Sequence, residues 1–271
     1  MAIAPLKFLI SLPPRLAIAW FRRKGHQITW DWEEMLEESH NRAFTVAKAA
    51  KLDILQSIRD AFTQALEEGQ TERSFRQNLE PILKQKGWWG RQTVEGPDGE
   101  EEVQLGSPYR LRTIYRTNLQ TAMMAGRHAE LAENVDDRPY WQYVAVLDAR
   151  TRPTHRQLDG LIFRHDDPFW NSFYPPNGFN CRCRIRALSQ RDIDRRGLVV
   201  GSSEGLLTQD TALLSQRSGL TVPTAVYRGA EGAVRPDPGW SYSVAQGQQE
   251  PDLRRLDPDL AQQYREDEGD G

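Results

Sequence analysis

Apolar residues recur at helical spacing through the first half of the chain. After Asp53 they follow at intervals of three and four until Gly69, and a second such run lies between Thr71 and Gly87. A longer helix is predicted from Pro108 onwards. The buried positions predicted for the first two helices are Ile54, Leu55, Ile58, Phe62, Ala65, Leu66, Phe75, Leu79, Ile82 and Leu83. This half of the chain is therefore predicted to be a helical packing region.

The N-terminal segment resembles a signal peptide only briefly. Pro13 and Pro14 interrupt its apolar run, and no small-residue cleavage site follows. The run is also too short to span a bilayer. A short helix is predicted instead over 15–24, with Gly25 as its stop.

The pattern changes after Pro139. The stretch 140–149 is aromatic and β-branched without a helical period, which predicts a strand. A short strand at 161–167 and an alternating strand at 181–188 follow, and Ser189 caps a short helix. The Gly-rich polar stretch 90–101 predicts an exposed loop. Beyond Val200 the chain is polar with few periodic signals.

These patterns predict an α+β protein with a helical N-terminal half, a small sheet-containing module and an irregular C-terminal extension. The predicted regions are an N-terminal arm with a short helix (1–28), a helical region (29–135), an α+β module (136–200) and a polar C-terminal extension (201–271). The end of that extension, from Gln246, is rich in Gln, Asp, Glu and Arg and is expected to be mobile.

Composition narrows the class of protein. The formal net charge is only -3, so no global charge marks a nucleic-acid binder. The two cysteines are separated by one residue, a spacing that rarely allows a disulfide between them. The pair is typical of a reducing compartment such as bacterial cytoplasm rather than of a secreted disulfide framework.

Polar and sulfur side chains concentrate between Asp148 and Arg186. The segment LDARTRPTHRQLDG is followed by DDPFWNSFYPPNGFNCRCRIRALS. Together they carry Asp148, Thr151, Arg152, His155, Asp159, Gly160, Pro175, Pro176, Gly178, Cys181 and Cys183. Groups of this kind, flanked by tight turns, indicate a compact site or a buried polar network.

This combination resembles the phage Mu F-like head morphogenesis family, also called the SPP1 minor head protein superfamily. The segments LAIAWFRRKG, HNRAFTVAKA and YRTNLQTAMMAGR are similar to the N-terminal half of that group, and PDPGWSYSV resembles its closing motif, with Ser243 where an Asn is usual. The residues 136–200 then form a Mu F-like module.

The resemblance implies a minor capsid protein that acts in head assembly near the portal, with a possible part in DNA packaging or ejection. It implies the portal protein and the major capsid or scaffold protein as partners, and no membrane. The expected location is inside the head of the virion, and the host bacterial cytoplasm during assembly. No enzymatic activity is implied.

Two other interpretations of the cysteine region stay open. Cys181 and Cys183 on one strand face, with His155 and Asp148, or alternatively His165, offer ligands for a structural zinc. The alternative is that the cysteines are small buried hydrophobes beside a histidine. Asp148, His155 and the cysteines also suggest a metal-dependent phage hydrolase or nuclease, although no nucleophile elbow or phosphate loop is present.

Arginines make DNA contact a further hypothesis. Arg182, Arg184 and Arg186 alternate along the predicted third strand, and guanidinium groups suit phosphates. Interleaved aspartates indicate that part of this charge is paired internally. Weak, salt-sensitive and sequence-independent DNA contact is the form expected. A basic face on the long helix is formed by Arg110, Arg112, Arg116 and Arg127.

Overall fold

The computed structural model describes residues 14–37, 39–97 and 99–245. These form two compact units, of which the first holds 14–34 and 42–126 and the second holds 35–41 and 127–245. Helices dominate the N-terminal half and sheets the later part, so the predicted α+β class is confirmed.

The elements follow one another as short helices and small sheets. The helices are α1 (Arg15–Arg22), α2 (Ser39–Arg42), α3 (Leu52–Glu68), α4 (Glu72–Gln85), α5 (Pro108–Ala132), α6 (Pro153–Gln157), α7 (Phe169–Phe173) and α8 (Gln190–Arg196). The strands are β1 (Gly25–His26), β2 (Ala43–Phe44), β3 (Arg91–Gly96), β4 (Gly99–Gln104), β5 (Tyr140–Val144), β6 (Ile162–Arg164), β7 (Arg184–Leu188), β8 (Leu207–Leu213), β9 (Thr221–Gly229) and β10 (Gly232–Val234). In the part of the chain that is described, no helix is both long and apolar enough to cross a bilayer.

The first unit is built on α3, α4 and the early turns of α5. Gly69 ends α3 in the left-handed conformation, with φ 63°, and the Thr71 side chain accepts from the Ser74 amide at 3.2 Å to cap α4. The predicted apolar stripe is buried except Ile82, which is 41% exposed. Edge-to-face and tilted ring contacts, with centroids 4.7 to 6.3 Å apart, join Phe21, Phe44, Phe62, Phe75 and Tyr115.

The stretch predicted as an exposed loop is a β-hairpin. β3 and β4 pair antiparallel from Arg91 opposite Gln104 to Gly96 opposite Gly99. Most of its side chains are exposed or half-buried, so the segment lacks the buried apolar face that normally identifies a strand. Trp30 Nε1 donates to Glu101 Oε1 at 2.6 Å and fixes the hairpin within the first unit.

The second unit contains the sheet predicted from the aromatic stretch. β5 lies between β6 and β7, and both pairings are antiparallel, so all three predicted strands form. β7 begins at Arg184, so Cys181 and Cys183, which were predicted on this strand, precede it. After β7, Ser189 and Asp192 form a capping box at the start of α8, and Gly197 ends that helix with φ 58°.

A second sheet in this unit corrects the prediction of an irregular C-terminal extension. β9 lies between β8 and β10, again antiparallel. The ring of Tyr227, on β9, packs 5.2 Å from the ring of Phe169 and 5.9 Å from that of Phe163. The segment 207–234 is therefore part of the second unit's core, whereas residues from 246 onwards, including the end expected to be mobile, lie outside the described residues.

Candidate functional site

Three buried side chains converge within the second unit. His155 lies on α6, Cys181 in a turn closed by its amide to the Gly178 carbonyl at 3.2 Å, and Cys183 directly before β7. His155 Nδ1 is 3.6 Å from Cys181 Sγ and 3.5 Å from Cys183 Sγ. The exposed fractions of His155, Cys181 and Cys183 are 3%, 4% and 2%. Neither cysteine forms a disulfide.

Asn177 holds the loop that carries the cysteines. It is completely buried, and its side-chain oxygen accepts from the Tyr143 hydroxyl at 2.8 Å. Its carbonyl accepts from the Asp237 amide at 3.0 Å, which ties the C-terminal segment to the same loop. The peptide bond between Pro175 and Pro176 just before it is cis.

The two thiols are close enough that the protonation of each one changes the pKa of the other. The contact with Cys183, followed by those with His155 and the Asn177 backbone, holds the pKa of Cys181 well below its ordinary value. The same sulfur contact, together with burial, raises the pKa of Cys183. Burial and then the nearby sulfurs raise the pKa of Tyr143. The pair therefore loses a first proton readily and a second with difficulty.

Asp148 lies in a different set of contacts from the three converging side chains. Its carboxylate accepts from both terminal nitrogens of Arg182, at 2.6 and 2.8 Å, and from the Thr151 hydroxyl at 3.2 Å. The hydrogen bonds from Arg182, and then from the Arg150 amide, hold the pKa of Asp148 far below its ordinary value. The group His155, Cys181 and Cys183 forms without Asp148. The predicted four-residue ligand set is thus reduced to three.

The remaining motif residues shape the walls of this region. Arg152 donates to the Phe179 carbonyl at 2.7 Å and pairs with Asp237 at 3.1 Å. A Cβ at position 178 would lie 2.2 Å from Asp237 Oδ2, so any larger residue than Gly178 would displace the Asp237 side chain. These contacts fix the turn before Cys181 against the segment that contains Asp237.

The Leu158–Gly160 turn closes the sheet beside the site. The Asp159 carboxylate accepts from the Ala145 amide at 2.7 Å, and the Gly160 amide donates to the Tyr143 carbonyl at 2.9 Å. Gly160 has φ 83°, a conformation that glycine adopts without strain. These residues position β5 and carry no chemistry of their own.

His155 Nε2 is buried and has no hydrogen-bond partner among the residues that the structure describes. A small cleft of about 20 Å³ opens beside the histidine and both sulfurs. Its other lining residues are Val146, Arg150, Thr151, Arg152, Asn180 and Arg182. Two sulfurs and an imidazole nitrogen are ligands for a soft or borderline metal ion. His165 lies elsewhere, with its ring 6.2 Å from that of Trp141.

The predicted DNA-contacting arginines differ in their surroundings. Arg184 and Arg186 are exposed on one face of β7, whereas Arg182 is held by Asp148. The four arginines of α5 make internal contacts rather than a free basic face. Arg110 donates to the Ala47 carbonyl, Arg112 and Arg116 both donate to Glu72, and Arg127 donates to the Ile185 carbonyl.

Two residues of the site, Tyr143 and Asp237, were not singled out from the sequence. Tyr143 was part of a predicted strand, and nothing local distinguishes a tyrosine that faces a polar loop. Asp237 stands in the PDPGWSYSV motif, and that motif was the available signal. Burial raises the pKa of Asp237, opposed by the charges of Arg152 and His155.

Comparisons with known proteins agree on one family. The sequence profile of the family described as Phage Mu protein F like protein matches residues 56–186. The chain is 45% identical, over 93% of its length, to the putative capsid assembly protein F of Escherichia phage Mu, and covers 59% of that protein. It is 48% identical, over 80% of its length, to the Mu-like prophage FluMu F protein of Haemophilus influenzae, and covers 53% of it. The chain thus spans little more than half the length of these relatives. No solved structure matches it.

Proposed function

We propose that this chain, whose residues 56–186 match the family described as Phage Mu protein F like protein, is a minor capsid protein of that family acting in head assembly. The observation that carries the proposal is the 45% identity, over 93% of the chain, with a protein named for capsid assembly. An identity of this extent reaches both compact units, because the matched length of 259 residues exceeds either of them.

We propose that it works by binding other head proteins. The portal protein is the first partner to test, followed by the major capsid and scaffold proteins. The chain would then assemble in the host bacterial cytoplasm and remain inside the head of the virion. The described residues carry a structured α+β unit with a fixed polar network, which suits a rigid docking element.

No catalytic step enters this proposal. A hydrolase using Asp148, His155 and the cysteines would need the carboxylate beside the histidine, but Asp148 contacts Arg182 and Thr151. The proteins that the chain resembles are named for capsid assembly or for their prophage. Neither observation favours hydrolysis.

DNA contact is a secondary part of the proposal and rests on β7. Arg184 and Arg186 are exposed and two residues apart, so both guanidinium groups lie on the same face of the strand. Phosphate contact by two arginines gives weak binding that falls steeply with salt. Replacing both by Gln should reduce the salt dependence of binding to duplex DNA. The control is Arg91→Gln together with Arg195→Gln, two arginines in exposed ion pairs elsewhere, and it should leave the salt dependence unchanged.

The test of the main proposal is an amber mutation in the gene for this chain within its phage or prophage. Induction in a non-suppressing host should give lysates with few infectious particles and with empty or aberrant heads in electron micrographs. A suppressing host should restore the titre. Normal numbers of DNA-filled heads without the chain would overturn the proposal.

Partner choice needs a separate measurement. The chain and each head protein of the same phage should be expressed in pairs and co-purified, and chemical cross-links should be mapped by mass spectrometry. Cross-links to the portal protein support docking near the portal. Cross-links only to the scaffold or the major capsid protein would replace that assignment while leaving the assembly function intact.

A further inference from the structure

We propose that His155, Cys181 and Cys183 bind one zinc ion through Nδ1 and the two sulfurs. The inference is independent of the assembly function, because it rests on three side chains brought together from two elements. The corresponding ligand atoms all lie within 4.8 Å of one another. All three side chains are buried.

The separations match those of a tetrahedral zinc centre. Zinc bonds of about 2.3 Å to sulfur and about 2.05 Å to nitrogen, at tetrahedral angles, place nitrogen and sulfur about 3.6 Å apart. The observed distances from Nδ1 are 3.6 Å to Cys181 Sγ and 3.5 Å to Cys183 Sγ. Both nitrogen–sulfur distances therefore fit an ion bonded to the three atoms.

Hydrogen bonding alone does not explain why two sulfurs lie close to one ring nitrogen. Nδ1 carries either one hydrogen or one lone pair, so it can make only one strong hydrogen bond although two sulfurs lie at hydrogen-bond distance. A metal ion engages the lone pairs of all three atoms at once. Two thiolates also neutralise a divalent ion, which suits a buried place.

The local fold presents the ligands and leaves one position open. Cys181 closes the turn that begins at Gly178 and Cys183 directly precedes β7, and both sulfurs lie within 3.6 Å of His155 Nδ1. The cleft of about 20 Å³ beside them has room for one water molecule as a fourth ligand. The ion would join α6 to the segment that leads into β7, beside the exposed contacts of Arg182 with Asp148 and Thr151.

The first test is metal content. The full chain without a histidine tag should be reconstituted with excess zinc, desalted and measured by elemental analysis. We expect one zinc per chain. Cys181→Ser with Cys183→Ser, and separately His155→Gln, should fall to background, while His165→Gln should keep the parent value. A parent chain that holds only background zinc would contradict the proposal.

A second measurement on the parent chain covers variants that fail to fold. Titration with Co²⁺ should produce thiolate-to-metal charge-transfer absorption that saturates at one equivalent. Bound metal should also slow modification of both thiols by a disulfide reagent, and a chelator should reverse the protection. Absence of both signals would rule out thiolate coordination whatever the variants do.

Discussion

Lys24 is a deeply buried cation of the first unit. Only 3% of it is exposed, and its ammonium lies 4.2 Å from the centre of the Trp20 ring. Burial, and secondarily the charge of Arg59, lower its pKa to about 7. Between that value and its usual pKa of about 10.4 the unfolded chain binds more protons, so this residue's contribution to stability falls as the pH drops towards 7.

Lys24→Met should therefore stabilise the protein near neutral pH. Removing the buried amine recovers about 4 kcal/mol of protonation free energy, whereas losing the ring contact costs about 2 kcal/mol, which leaves a gain of roughly 2 kcal/mol. Urea unfolding at pH 7 and at pH 10 measures the change in the free energy of unfolding. The gain in stability should be smaller at pH 10. A less stable variant at pH 7 would show that the ring contact outweighs burial.

Asp148 gives the opposite pH dependence. Because Arg182 holds its pKa below the ordinary value of about 3.9, its contribution to stability is present above that pH and is lost as the pH falls. Asp148→Asn should flatten the decline of melting temperature below about pH 4. High salt should reduce the difference because the pair is exposed.

The matched control for this variant is Asp210→Asn. Asp210 also pairs with an arginine, Arg235, but at 3.5 Å and with both side chains about half exposed. Melting curves of this variant should follow the parent more closely through the acidic range. Equal behaviour of the two variants would mean that the bidentate geometry at Arg182 adds nothing.

The chemistry-bearing residues were predictable at this scale, but their grouping was not. The i, i+2 spacing of Cys181 and Cys183 suggested two sulfurs on one strand face. The structure brings both sulfurs to His155, one of their candidate partners, although the pair precedes the strand. Asp148 was an equally good candidate ligand from the sequence alone. Its contact with Arg182 depends on a turn geometry that neither residue type reveals.

At the scale of elements, α1 and α5 approach each other closely within the first unit. A Cβ added to Gly126 would lie 2.7 Å from the backbone nitrogen of Ala17. Ala17, Trp20 and Phe21 form the buried side of α1, while Leu16 is 39% exposed. Small residues at the crossing let the two backbones meet.

Gly126→Ala tests this contact. Alanine favours the helix by about 1 kcal/mol, but overlap with backbone atoms that cannot rotate away costs up to about 3 kcal/mol. We expect a net loss of about 1 to 2 kcal/mol in urea unfolding. Thr113→Ala, half-buried on the same helix, should show the propensity gain without the overlap. Stabilisation by Gly126→Ala would contradict the close approach.

Elements with a buried apolar stripe could be predicted from the sequence, whereas exposed strands could not. α3 and α4 carry such a stripe, and their predicted ends at Gly69 and Gly87 lie within two residues of the observed ones. β3, β4 and β8 present mostly exposed or half-buried side chains, so their polarity made them look like loops. β3 pairs with β4 across a short turn and β8 pairs with β9, and backbone pairing of this kind leaves no apolar alternation in the sequence.

At the scale of the whole molecule, β9 joins the C-terminal segment to the core of the second unit. Tyr227 is 6% exposed, and its ring contacts those of Phe163, Phe169 and Phe173. These partners come from β6 and α7, both earlier in the chain. Residues after 200 thus complete an aromatic cluster that the preceding module begins.

Tyr227→Ala should destabilise the protein by about 3 kcal/mol, because it leaves a cavity among three rings. Urea unfolding followed by circular dichroism gives the loss. Leu213→Ala, half exposed on the neighbouring strand β8, should change stability by less than about 1 kcal/mol. Similar small losses for both variants would show that the C-terminal sheet is only a surface addition.

A single hydrogen bond in the second unit bears on the order of events during synthesis. The buried Asn41 side chain donates to the Ser243 carbonyl at 3.0 Å, across 202 positions of sequence. A growing polypeptide exposes Asn41 long before Ser243 leaves the ribosome. The Met35–Asn41 segment cannot complete its place in the fold until residue 243 has been translated, whereas α3 and α4 can pair much earlier.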